Sequence, residues 1–240
     1  MNANDPNVAL IEIVAERLGD ALRGEMVFVG GAVAGLLITD PAMPAIRPTE
    51  DVDMICRAVV RADYYRVEAA LRERGFVQDM RPGAPICRWR VGTGASAVAV
   101  DVMPTLEDIL GFSNRWYPLA LETALPVHLP SRRSIRLIAA PVFLATKLEA
   151  FEGRGKGQFL LSHDLEDMLA VIDGRASLLE ECHASSPELR SYLGERFGTL
   201  LATRPFVDAL AGHLPGDPAS QERLPELEEK LRLIAGLRLA

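Results

Sequence analysis

Cysteine is scarce in this chain: three in 240 residues, Cys56, Cys87 and Cys182, none in C-x-x-C spacing. An odd set of scattered thiols excludes a complete disulfide framework and a paired-cysteine zinc or redox motif, and reads as a protein of the reducing cytoplasm. His163 has no second His or Cys at ligand spacing, which argues against a zinc site there. Long hydrophobic runs are also missing. The longest, residues 27–38, is too short to span a bilayer. The opening residues are polar and acidic and lack the apolar core of a signal peptide, so a soluble, cytoplasmic protein with no membrane partner is expected. Positive charge is in deficit: the formal net charge of −7 argues against a generic polyanion binder. One stretch departs from this. Residues 131–160 carry six Lys/Arg (Arg132, Arg133, Arg136, Lys147, Arg154, Lys156) against Glu149 and Glu152, a local balance of +4. That island leaves room for a local basic groove in an acidic chain.

With 49% hydrophobic and 25% charged residues, a sizeable core is available, in one large domain or two small ones. The hydrophobic spacing predicts a helix over 8–22, capped by Asn4 or Asp5, and a fully apolar strand over 26–29. A helix over 31–38 follows, then a proline-rich loop and a second strand over 52–56. Further on come a helix over 61–74, strands over 76–78, 86–91 and 97–103, and a short helix from Pro104 to Leu110. The strands over 86–91 and 97–103 suit a hairpin. Residues 120–129 and 134–138 read as edge strands or loops. Beyond Pro141 the pattern is helical: 141–151, 162–172, 177–183, 187–201, 205–210 and 221–237. The expected fold is therefore α/β (α+β), a mixed sheet flanked by helices over residues 1–140 and a helical part over 141–240.

The chemistry centres on Val27-Phe28-Val29-Gly30-Gly31 and, after a loop, Arg47-Pro48-Thr49-Glu50-Asp51-Val52-Asp53. Side chains at i and i+2 of a strand share a face, so Asp51 and Asp53 present their carboxylates together. Both sit in an apolar strand, where an unpaired charge is costly. Asp101 stands among alanines and valines on a later strand, equally out of place without a partner. A hard divalent cation with oxygen ligands, Mg²⁺ or Mn²⁺ in its place, would reconcile three such acids. Backbone N–H groups of a Gly-Gly turn at a helix start suit phosphate. A phosphate seat beside a carboxylate cluster points to metal-assisted phosphoryl or nucleotidyl transfer.

These residues resemble the signature of the DNA polymerase beta-like nucleotidyltransferase superfamily: a G-G turn, an h-D-h-D strand and a third Asp on a later strand. The form Arg47-x-Thr49-x-Asp51-h-Asp53 is similar to AbiEii/AbiGii toxin-type nucleotidyltransferases. So is the downstream pair of segments, Ala145-Thr146-Lys147-Leu148-Glu149-Ala150 and His163-Asp164-Leu165-Glu166-Asp167-Met168. The likeness covers about residues 25–175. It implies a nucleotidyltransferase core and Asp51, Asp53 and Asp101 as catalytic residues holding Mg²⁺. Gly30, Gly31, Arg47, Thr49, Lys147, Asp164 and Asp167 would lie on the nucleotide side. NTP would be the substrate, a hydroxyl of tRNA, another RNA, a protein or a small molecule the acceptor, and an antitoxin protein a partner if the chain is a toxin. The turn here is Gly-Gly-Ala where relatives more often have Gly-Ser, and His163 stands where they often have arginine.

Two other readings compete. Gly30-Gly31-Ala32-Val33-Ala34-Gly35 resembles a FAD or NAD fingerprint, though Ala32 replaces its middle glycine. A non-catalytic protein keeping the same fold as a binding or regulatory partner is the other. Plainer roles are available for single residues: Lys147 as a surface lysine with its stem on apolar neighbours, Ser162-His163-Asp164 as a helix start, residues 154–157 as a phosphate-cradling loop or a solvated turn, Trp89 and Trp116 as packing residues, and Glu226–Lys230 as a solvated helix face.

Overall fold

The computed structural model describes residues 5–94, 97–155 and 157–237. Asn4, one of the two candidate caps, and Lys156, at the centre of the 154–157 loop, lie outside the described residues.

Contacts divide the chain into two compact units, one of Asn2–Leu36 with Ala45–Ala139 and the other of Leu37–Pro44 with Ala140–Ala240. The first is built on a sheet. Its opening helix, α1 (Pro6–Glu25), starts where the Asp5 carboxylate accepts the Asn7 N–H at 2.9 Å, with Pro6 in the first turn. Val8, Ile11, Val14, Ala15, Leu18 and Leu22 form its buried stripe. Strand β1 (Met26–Val29) is buried along its whole length. Next comes a 3₁₀ turn over Gly31–Val33 and a single α turn, α2 (Ala34–Leu37), in place of the eight-residue helix expected there. Strand β2 (Asp51–Cys56) is followed by α3 (Arg61–Glu73), β3 (Val77–Gln78), β4 (Arg88–Val91) and β5 (Val98–Pro104). Two short helices, α4 (Glu107–Leu110) and α5 (Tyr117–Thr123), precede the hairpin of β6 (Leu125–His128) and β7 (Ser134–Leu137). Residues 120–123, expected as strand or loop, are helical because Pro118 sits in the first turn of α5, where its missing N–H costs nothing, and Ala120 and Leu121 face the core.

The seven strands lie in the order β3-β4-β5-β2-β1-β7-β6, a mixed sheet in an α/β architecture. Strand β2 is central. It runs antiparallel to β1, with Val29 opposite Asp53, and parallel to β5, with Asp53 opposite Asp101. Strand β4 runs antiparallel to β5 and sets Arg88 opposite Asp101. Burial follows the alternation. Val52, Met54 and Cys56, which alternate with the aspartates along β2, are fully covered, as are Val100 and Val102 of β5. Trp89 and Trp116 are buried packing residues. Burial pushes the Cys56, Cys87 and Cys182 thiols up to about 12, so they stay protonated as small core side chains.

The second unit is helical: α6 (Ala140–Ala150) running into one π turn over Phe151–Gly155, then α7 (His163–Gly174), α8 (Leu178–Ala184), α9 (Pro187–Leu201), α10 (Arg204–Ala209), α11 (Pro218–Gln221) and α12 (Leu224–Ala235). The segment Leu37–Pro44 belongs here, its Thr39 and Asp40 N–H groups both donating to the Gly174 carbonyl at 2.9 Å. Ser162 caps α7 through the Leu165 N–H. Face 226–230 of α12 is not wholly solvated, since Lys230 donates to the Asp173 carbonyl at 2.7 Å and Arg223 pairs with the Asp173 carboxylate. Among the described residues no helix is long and apolar enough to cross a membrane.

Candidate active site

Alternation and register together bring the three acids to one face of the sheet. Asp51 and Asp53 lie two apart on β2, and Asp101 is directly beside Asp53 on β5, so all three leave the same face of the sheet. Asp101 is 7% exposed, and Asp51 and Asp53 are half-buried. The diglycine bend abuts them. Gly30 has φ 73°, and a Cβ built there would stand 1.9 Å from the Asp53 Oδ2, so any side chain at this position meets both backbone strain and the carboxylate.

Arg88 completes the cluster. Its Nε donates to Asp101 Oδ1 at 2.8 Å and its Nη2 to Asp101 Oδ2 at 2.7 Å, a bidentate fork; Nη2 also reaches Asp51 Oδ2 at 2.5 Å. These bonds raise the Arg88 guanidinium further above its ordinary range. Asp51 is nonetheless pushed up from the usual carboxylate value, first by burial and then by the neighbouring Asp101 charge, against the pull of Arg88. At Asp51, Arg88 does not offset desolvation and the repulsion of Asp101.

Arg47 and Thr49 sit on the loop entering β2. Arg47 is close enough to Asp51 for its charge to favour the ionised carboxylate. The loop is held by Asn7, buried in the first turn of α1: its amide Nδ2 donates to the Arg47 carbonyl at 3.0 Å, and its Oδ1 accepts the Thr49 N–H at 2.8 Å. The Thr49 hydroxyl donates to the Asp51 carbonyl at 3.1 Å. Gly31 opens the 3₁₀ turn. With only seven residues in the two helical pieces that follow Gly30, a helix macrodipole contributes little here, and what the bend offers an anion is backbone N–H groups.

Lys147, Asp164 and Asp167 come together in the helical unit. The Lys147 Nζ lies 3.1 Å from Asp164 Oδ1 and 2.6 Å from Asp167 Oδ2, with all three residues buried. Arg154 adds a fork onto Asp164 at 2.8 and 2.9 Å. Lys147 is thus not a surface lysine, and the pairing gives it a structural reason to be charged in the core. The basic island is also largely paired: Arg133 meets Glu12 and Glu16, and Arg136 donates to the Leu121 carbonyl.

Sequence reasoning missed Arg88 and Asn7. The alternation Ile86, Arg88, Arg90 was visible, and registering the expected hairpin would have set Arg88 beside Asp101. Asn7 carried no signal, because its partners are about 40 residues away.

Three carboxylates from two strands are the hard oxygen donors that Mg²⁺ takes, so the donor set fits the ion in kind. Their present arrangement is that of arginine-bridged acids. Among the described residues no three His, Cys, Asp or Glu side chains are gathered as a group that could hold a metal. A groove of about 480 Å³ lined by Glu25, Arg57, Asp63, Arg66 and Arg74 lies elsewhere, beyond the end of β2 opposite Asp51.

The fold and cluster therefore define an α/β protein with an arginine-clamped aspartate site at the centre of a mixed sheet. No family model and no curated protein matches the sequence. Among solved structures, JHP933 from Helicobacter pylori is similar at 15% identity and a TM-score of 0.46, over 95% of this chain and 88% of that one. A "putative nucleotidyltransferase" from H. pylori is similar at 14% identity and a TM-score of 0.45, over 96% and 92%. Likeness at that level carries no weight, and function is read from the residues themselves.

Proposed function

We propose that this chain is a Mg²⁺-dependent nucleotidyltransferase that moves a nucleoside monophosphate from an NTP to a hydroxyl, releasing pyrophosphate. The observation that carries the reading is the in-register pairing of Asp53 with Asp101 on adjacent parallel strands, with Asp51 on the same face and Gly30 against Asp53. Asp51, Asp53 and Asp101 would hold the metal, which when bound neutralises phosphate charge and stabilises the in-line displacement. Backbone N–H groups at Gly30 and Gly31 would meet phosphate oxygens, and Asp101 would take the proton of the acceptor hydroxyl. Arg47 and Thr49 orient the strand that presents the acids. A toxin role, with an antitoxin as partner, rests on the motif likeness alone.

The dinucleotide alternative is set aside. Its fingerprint requires the strands on either side of the glycine turn to run parallel in a βαβ unit, and here β1 and β2 are antiparallel. The second reading is a catalytically silent protein, and the specific observation favouring it is the Arg88 clamp on two of the three acids.

Incubation with each α-labelled NTP, Mg²⁺ and cell extract separates the two. Wild type labels an acceptor and Asp53→Ala loses at least about a hundredfold, the scale of several kcal/mol of transition-state stabilisation. Equal labelling by both proteins, or none with every NTP, favours the silent protein.

A further inference from the structure

The clamp on Asp101 and Asp51 uses the oxygens that a metal would need. Arg88 covers both oxygens of Asp101 and one of Asp51 at 2.5–2.8 Å, from a strand fixed opposite Asp101 by main-chain pairing. A guanidinium cannot shed its proton to make room, because it stays charged throughout the accessible pH range. A divalent ion at the same carboxylates would share them with a permanent cation in direct contact. Lone pairs remain on these oxygens, but the two cations repel each other across the shared carboxylates, so neither is held well while the other stays in place.

We infer that Arg88 is a latch on this site: it holds the Asp51–Asp101 pair closed, and a divalent cation binds by displacing it. The inference rests on the nucleotidyltransferase reading for the identity of the cation. It explains why three acids that share one face do not converge on a common point, and why carboxylates in an apolar sheet are tolerated before a ligand arrives. Arg88 acts through the acids and is a positioning residue.

The test uses the full chain and two readouts that need no turnover. In the first, Mn²⁺ alone is titrated against wild type and Arg88→Gln, with unbound Mn²⁺ followed by electron paramagnetic resonance. Arg88→Gln should bind Mn²⁺ about tenfold more tightly, the scale of removing a like charge beside an ionic site. The second uses wild type only and decides the matter if Arg88→Gln fails to fold. The Arg88 Nε–H resonance, assigned by its loss in Arg88→Lys, should exchange slowly with solvent without metal and quickly once Mg²⁺ saturates the site. Mn²⁺ binding that is equal or weaker in Arg88→Gln, or an Nε–H that stays protected with Mg²⁺ bound, overturns the latch and leaves the nucleotidyltransferase reading standing. If neither protein binds Mn²⁺ or Mg²⁺, the metal-dependent reading fails and the latch falls with it.

Discussion

Two clusters of aspartates and cations, one in each unit, are built to opposite ends. In the helical unit two carboxylates, Asp164 and Asp167, face two cations, Lys147 and Arg154. In the sheet unit three carboxylates share a face and Arg88 bridges two of them. The acids respond accordingly. Burial pushes Asp164 up, but the Arg154 hydrogen bonds and the charges of Lys147 and Arg154 outweigh it, and its carboxyl is held below the ordinary range. At Asp51 burial and Asp101 together outweigh Arg88, and the carboxyl rises. The balanced cluster meets its charges internally. The acid-rich one leaves negative charge unmet, which suits the metal-binding role proposed for it.

The sharpest way to break this contrast is to remove the lysine. Lys147→Met leaves Asp164 and Asp167 buried with one cation fewer and should cost about 3–5 kcal/mol in chemical denaturation. A loss below about 1 kcal/mol would show that the helical cluster is not balanced in this way. Next in size is Gly30→Ala, which forces a β-carbon into φ 73° and against Asp53. About 1–3 kcal/mol of destabilisation and loss of transfer activity are expected, because the strained backbone and the displaced carboxylate are the same event. Asn7→Ala comes third. It removes two hydrogen bonds that hold the loop into β2, at about 1–2 kcal/mol, and should lower activity more than it lowers the thermal midpoint, since Thr49 and Asp51 lose their anchor together.

The smallest effect is with pH, and its sign differs between the clusters. Asp164, depressed in the folded state, gives stability that is complete above the unfolded carboxylate value of about 3.9 and is lost as pH falls through its folded value. Asp51, raised in the folded state, opposes folding while ionised, and that opposition is relieved as pH falls through its raised value. Amide exchange measured on mild acidification should therefore show β2 keeping or gaining protection at pH values just above those where α7 begins to lose it. Parallel loss in both would remove the distinction.

Much of the sheet cluster was legible because strand alternation is a local rule. Asp51, Asp53 and Asp101 could be set on their strand faces from spacing, while Gly30 beside them was implied by the family resemblance. Arg88 needed the register of β4 against β5, a long-range fact that alternation narrows but does not fix. In the helical cluster, Lys147, Asp164 and Asp167 stand out only through the family resemblance, and their mutual pairing depends on how α6 and α7 pack. Elsewhere, the helix after Gly31 breaks off early, at Leu37, and the segment from there to Pro44 joins the helical unit through Gly174, which no local signal announces. Residues 120–123 are helical where strand or loop was expected, because Pro118 opens α5 and the strand begins only at Leu125.

The parallel pairing of β2 with β5 also has a consequence for the nascent chain. Residues 57–97 separate the two strands, so β2 paired with β1 alone has its outer rim bare until the later strand is in place. Bare strand rims recruit other chains, and carboxylates alternating along one are a recognised deterrent. Until β5 arrives, Asp51 and Asp53 would act as chaperones of their own strand, guarding against aggregation before they serve any ligand.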